Sequence, residues 1–137
     1  MAQTDDHRDI ADVLIRYATG IDRRDWPLFR TVFTADCELD YGEIGAWKGV
    51  DAVTDFMTQT HAMAGHTLHR LSNIVVTVDG DRAQARAYVD ALILSQDNQS
   101  GVNAVGCYDD DLARTGDGWR IARRRFTTVR VSPVGGA

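Results

Sequence analysis

The sequence has little of what marks several large protein classes. Its two cysteines, Cys37 and Cys107, stand far apart and form no C-x-x-C pair, so no redox motif or zinc cage is suggested. No apolar run is long enough to cross a membrane. The start, Met1 to Asp9, is polar and lacks the apolar core of a secretory signal. Fifteen basic residues stand against twenty acidic ones, a net charge of -5, which argues against a general nucleic-acid binder. No internal repeat, low-complexity tract or linker is visible. These absences predict a cytoplasmic protein with neither nucleic acid nor membrane as partner. Only the tail, residues 132–137, reads as disordered, through Pro133, Gly135 and Gly136.

What is present suits one domain spanning 1–137. The 137 residues are 44% hydrophobic and 26% charged, enough for one core and too few for two. Ile10, Val13, Leu14, Tyr17, Ala18 and Ile21 recur at helical spacing, which predicts a helix over 5–22 with Thr4 or Asp5 as its cap. Asp22 falls on the edge of that apolar stripe, with Arg23 and Arg24 on the outer side. A second helix is expected from Asp25, with Pro27 in its first turn, running to Ala35 or Asp36. Residues 37–41 alternate like a strand, glycines 42, 45 and 49 mark a loop carrying Trp47, and a third helix follows from Val50 to about His61.

Two long hairpins come next. The first joins 65–78 to 81–94 through Asp79-Gly80, read as a two-residue loop. That register sets Ile74 opposite Ala85, Ser72 opposite Ala87 and His69 opposite Asp90. A histidine facing a carboxylate among apolar side chains is the arrangement of an oriented general base. A slip of one residue would part the two onto opposite faces. The second hairpin joins 103–115 to 119–131 through a three-residue loop at Gly116-Asp117-Gly118. It sets Asp109, Asp110 and Asp111 opposite Arg125, Arg124 and Arg123, as cross-strand charge pairs. One of these arginines pointing into a pocket is the alternative. Three helices followed by long antiparallel strands make an α+β fold, a curved sheet closed by helices into a cone with a pocket.

These residues resemble the nuclear-transport-factor-2-like superfamily, and within it the SnoaL-like group. The resemblance is carried by Leu14 to Trp26, Phe33 to Asp36, Gly49 to Val53, His66 to Asn73, Val78 to Asp81, Tyr108 to Thr115 and Gly118 to Ile121. It covers nearly the whole chain. Among the members, the motifs are most similar to scytalone dehydratase, the bile-acid dehydratases and lindane dehydrochlorinase, which are cofactor-free lyases. The resemblance implies catalytic roles for Tyr17, Asp22, His69 and Asp90. It departs from scytalone dehydratase in lacking a second histidine near Asp90, and from the dehydrochlorinase in having Tyr17 where a lysine stands. It also implies a homo-oligomer, a trimer before a dimer, which would cover the broad outer face of the sheet.

Tyr41, Trp26, Phe56 and Cys107 are candidate pocket-lining residues, each also readable as core packing. His61, His66 and His69 have irregular spacing across a helix-to-strand break, so no metal or cofactor is expected. The expected activity is that of a lyase, dehydratase or isomerase on a small hydrophobic oxygenated ring compound. A non-catalytic binder of such molecules and an epoxide-hydrolase-like enzyme remain the alternatives.

Overall fold

The computed structural model describes residues 2–136, with side chains from Asp5 onward. In chain order it contains α1 (Ala2–Asp22), α2 (Trp26–Arg30), β1 (Phe33–Asp40), a 3-10 turn (Gly42–Ile44) and β2 (Ala46–Lys48). After these come α3 (Val50–Ala62), β3 (Thr67–Asp79), β4 (Arg82–Leu94), β5 (Ser100–Thr115) and β6 (Gly118–Gly135). The six strands form one sheet in the order β2-β1-β6-β5-β4-β3. Among the described residues only the β1–β6 pairing is parallel, so the sheet is mixed. The sheet is curved and does not close, and the helices lie on one face of it.

The apolar stripe of α1 drives this packing. Ile10, Leu14, Tyr17 and Ile21 are buried against Phe29, Val32, Phe33, Leu39, Leu112 and Ile121. A fully buried Leu, Ile or Phe contributes roughly 1.5–3 kcal/mol relative to exposure. Gly20 lets α2 approach closely, since a Cβ there would lie 3.0 Å from the Phe29 backbone. Asp25 caps α2 by accepting from the Leu28 amide at 3.1 Å.

Several element boundaries differ from the expectation. α1 already runs from Ala2, so Asp5 sits in its first turn and does not cap it, while the Thr4 side chain lies outside the described residues. α2 stops at Arg30, because Phe33 already joins the sheet through Ile121. The tail expected to be disordered continues β6, with Ser132 facing Asn103 and Gly135 facing Ser100; Ala137 lies outside the described residues.

The first hairpin turns one residue later than expected, on Gly80-Asp81, with Asp79 facing Arg82. Farther out, β3 carries an irregularity between Ser72 and Val75, where Asn73 adopts a left-handed φ of +51°. Asn tolerates that conformation better than most residues, and one extra residue there reverses which side chains face the core. Ile74, Val76 and Val78 point inward on one side of the bulge, and Thr67, His69 and Leu71 point inward on the other. Past it Arg70 faces Asp90, and His69 faces Ala91.

The second hairpin turns on two residues, Gly116-Asp117, because Thr115 faces Gly118. An irregularity between Asp111 and Leu112 then restores the expected register, so Asp109, Asp110 and Asp111 do face Arg125, Arg124 and Arg123.

Candidate active site

The end of α1 meets the start of β3, and this junction brings Asp22 to His69. His69 Nδ1 lies 2.7 Å from Asp22 Oδ1, and the His69 backbone amide donates to Oδ2 at 2.8 Å. Thr67 Oγ1 donates to Oδ1 at 2.9 Å. The carboxylate is thus satisfied on both oxygens. It fixes the ring with Nδ1 protonated, leaving Nε2 as the basic atom. Burial raises the Asp22 carboxyl, but the hydrogen bonds from the His69 ring and backbone and from Thr67 outweigh it and hold it below the ordinary carboxylate value.

Arg24 locks the junction from outside. It turns back instead of pointing to solvent, and donates to Ile21 O at 2.9 Å, Thr67 Oγ1 at 2.8 Å and Gly65 O at 2.6 Å. It therefore orders the residues that order Asp22.

Tyr17 lies a little more than one turn before Asp22 on α1, edge-on to the His69 ring with centroids 6.4 Å apart. Its hydroxyl is 2.6 Å from that of Tyr41. Burial pushes the Tyr17 hydroxyl up, against the opposing pull of the Arg124 cation. His61, at the end of α3, stands 6.5 Å from His69 between ring centroids. Its Nδ1 is 2.8 Å from the Met57 carbonyl, which makes that nitrogen the donor. Burial lowers the His61 pKa, with the Met57 contact opposing.

Beneath the tyrosines lies the middle pair of the two charge runs. Arg124 Nε and Nη2 reach Asp110 Oδ1 and Oδ2 at 2.7 and 2.8 Å, and both residues are fully buried. The guanidinium carbon lies 4.3 Å from the centroid of the Tyr17 ring and 3.7 Å from that of the Tyr108 ring. Burial works against the Arg124 charge, but Asp110 outweighs it and keeps the guanidinium ionised. Among the described residues its Nη1 has no hydrogen-bond partner. Strand alternation was the available signal: with the outer members of each run solvated, the central one must point inward.

Of the expected site residues, Asp22, His69, Tyr17 and Tyr41 come together. Trp26 stands nearby, edge-on to His61 at 6.0 Å. Asp90 does not join them. The bulge at Asn73 leaves it on the opposite face, where it accepts from Asn103 at 2.7 Å and Arg70 at 3.2 Å. Cys107 also faces outward, beside Tyr88 and Thr127, while its neighbour Tyr108 faces the core. Phe56 stacks on Trp47 with centroids 4.3 Å apart. A groove of about 900 Å³ lies away from the dyad, along the reverse of the sheet, lined by residues such as Glu38, Lys48, Arg86, Asp109 and Arg123. It is a charged surface feature that includes neither Asp22 nor His69.

No helix among the described residues is long and apolar enough to cross a membrane. The chain is 33% identical to an uncharacterized protein of Mycobacterium tuberculosis over 126 residues, covering 90% of this chain and 86% of that one. The crystal structure of a proposed aromatic ring hydroxylase from Novosphingobium aromaticivorans superposes with a TM-score of 0.88 at 31% identity, over 96% of this chain and 94% of the other. A hexachlorocyclohexane dehydrochlorinase superposes with a TM-score of 0.83 at 18% identity, over 99% and 91% of the two chains, a likeness of fold alone. The model of the SnoaL-like domain matches residues 2–125. With this match, its curved sheet and its covering helices, the chain belongs to the SnoaL-like family of the nuclear-transport-factor-2-like superfamily.

Proposed function

We propose that the protein is a cofactor-independent lyase of the dehydratase kind, or an isomerase, acting on a small hydrophobic oxygenated ring compound. The observation that supports this best is the engagement of both Asp22 oxygens with His69, which leaves Nε2 as the only ring atom free to take a proton. In this reading His69 removes a proton from carbon next to a carbonyl, and the C–H electron pair moves into an enolate. The Asp22 carboxylate stabilises the imidazolium so formed. Tyr41 donates to the Tyr17 oxygen, which frees the Tyr17 proton for the oxyanion or the departing hydroxyl. The Arg124 cation beneath the Tyr17 ring strengthens that donor.

The same reading makes the protein a cytoplasmic homo-oligomer, a trimer before a dimer. Exposed Val75, Tyr88 and Val105 on the strands of the sheet are consistent with a face that a second copy covers. Light scattering at micromolar concentration would contradict this by giving a monodisperse monomer.

Incubating the protein with a panel of hydroxylated cyclic ketones and halogenated or epoxidised rings tests the activity. Turnover of a hydroxyketone that is lost in His69→Gln, with an unchanged fold by circular dichroism, is the expected result. A His69→Gln protein that retains the wild-type rate would remove the general base.

A further inference from the structure

Arg24 stands where helix ends commonly place glycine. Beyond α1 the Asp25 amide donates to Gly20 O at 2.8 Å and the Arg24 amide donates to Ile21 O at 3.0 Å. These two bonds make a Schellman motif, which puts the residue before Asp25 in the left-handed region. Arg24 accordingly has a φ of +54°. Glycine adopts that conformation freely, whereas a residue with a Cβ does so at a cost. The side chain of Arg24 must offset that cost.

That side chain reaches Ile21 O, Gly65 O and Thr67 Oγ1. The Gly65 segment has other anchors. Its own amide donates to Leu94 O at 2.9 Å, and the next amide, of His66, donates to Asn98 Oδ1 at 2.8 Å. The Thr67 contact differs, because it leads on to the dyad. A guanidinium can only donate, so it occupies a lone pair of Oγ1 and leaves the single hydroxyl hydrogen to be given elsewhere. That hydrogen goes to Asp22 Oδ1, the same oxygen that accepts from His69 Nδ1. Thr67 is 1% exposed, so bulk water does not compete for the hydroxyl. Arg24, Thr67, Asp22 and His69 thus form one hydrogen-bonded chain converging on a single carboxylate oxygen, and the bonds of such a chain polarise one another.

We propose that Arg24 is a positioning residue that acts on His69 through the Thr67 hydroxyl. It directs the hydroxyl hydrogen onto Asp22 Oδ1, and so holds that oxygen where it accepts the Nδ1–H of His69. Without the guanidinium the hydroxyl is free to rotate, and Asp22 loses the donor that fixes it. The inference deepens the lyase or isomerase reading and rests on it only for the use to which the dyad is put.

Nitrogen-15 NMR of the histidine rings reads the His69 tautomer with no substrate present. Thr67→Val removes the hydroxyl and keeps the shape. Arg24→Met removes the donor and keeps the stem, and Arg24→Gly removes it in a residue suited to the left-handed backbone. Each should raise the Nε2–H share of His69 by about fivefold, the worth of one hydrogen bond. Thr67→Ser keeps the hydroxyl and should keep the wild-type tautomer. Adding Arg24→Gly to Thr67→Val should shift the tautomer no further, because the relay is already cut. Arg24→Gly decides the matter if Arg24→Met does not fold. The proposal is wrong if Thr67→Val or the folded Arg24 variants show the wild-type tautomer, or if Thr67→Ser shifts it as far as Thr67→Val. It is also wrong if Arg24→Gly shifts the tautomer as far in the Thr67→Val background as it does alone. That result would make Arg24 an anchor of the Gly65 segment and nothing more. A protein that shows the expected shifts and turns over no hydroxyketone keeps this role for Arg24 and loses the lyase reading, so the two failures are told apart.

Discussion

Asp22 grips His69 twice, once through the ring and once through the backbone amide of the same residue, at 2.7 and 2.8 Å. The ring contact sets the tautomer, and the backbone contact sets where the strand begins relative to the helix. One side chain thereby positions the candidate base and the sheet edge that carries it.

Asp22→Asn should separate these two effects. The amide can still accept from the His69 backbone through its oxygen, so the strand should stay in place. The carboxylate that holds Nδ1–H is gone, and the ring becomes free to populate the other tautomer. We expect loss of turnover by about a hundredfold or more on any substrate found, with melting changed by only a few degrees. Nitrogen-15 NMR of the histidine rings should show His69 shifting from the Nδ1–H form toward a mixture. An unchanged tautomer together with an unchanged rate would mean that the dyad has no chemical role.

The same contacts make a pH prediction. The folded Asp22 carboxyl lies below its ordinary value, and so does that of Asp6, which Arg114 and then Trp119 hold down by hydrogen bonds. A depressed folded value adds stability that is present above the unfolded value near 3.9 and is lost as pH falls through the folded value. Stability should therefore drop below about pH 4, and the drop should be shallower in Asp6→Asn, whose stability is already lower at pH 7. Urea midpoints measured from pH 7 to pH 3 would check this. Parallel curves for the two proteins would contradict it.

Removing one member of the buried Asp110–Arg124 pair leaves an uncompensated charge in the core. Arg124→Met should cost about 3–5 kcal/mol of unfolding free energy, and Asp110→Leu should cost a similar amount. The double variant should be less damaged than the sum of the two single ones, because it removes both charges. Chemical denaturation of all four proteins tests this, and strict additivity would show that the pair is not coupled.

The bulge at Asn73 is what turns His69 inward. Asn73→Gly, which keeps the left-handed conformation, should preserve activity and cost little stability. Deleting Asn73 removes the extra residue, so either His69 or the Ile74-Val76-Val78 row must face outward. We expect the deletion to abolish activity or to destabilise the protein severely, as read by turnover and melting temperature. A deletion variant with normal activity and stability would show that the bulge is dispensable.

Local patterns in the sequence were enough for the periodic elements. The spacing of Ile10, Leu14, Tyr17 and Ile21 is a property of one turn of helix after another, and α1 follows from it. Both hairpins are legible from strand alternation and turn residues, but the first turns one residue later and the second on one residue fewer than expected, and Asp109–Asp111 meet Arg123–Arg125 only because the irregularity between Asp111 and Leu112 offsets the shorter turn. Placing Asp22 and His69 in one site came from resemblance to a family and not from spacing, since they are far apart in the chain.

Which carboxylate serves His69 was a tertiary decision. Asparagine with a left-handed backbone is common in turns, so nothing at Asn73 announces a bulge inside a strand. Yet that one residue moves His69 off Asp90 and turns it toward the end of α1. The helical position of Arg24 points outward, but the chain reverses just beyond α1 and brings it back onto Thr67 and Gly65. The inward turn of Arg124 likewise needed the tyrosines of α1 and β5 above it to stabilise a buried cation. Periodicity is a local property that the chain carries with it. Register after a bulge, and the partners of a buried charge, exist only once distant segments have packed.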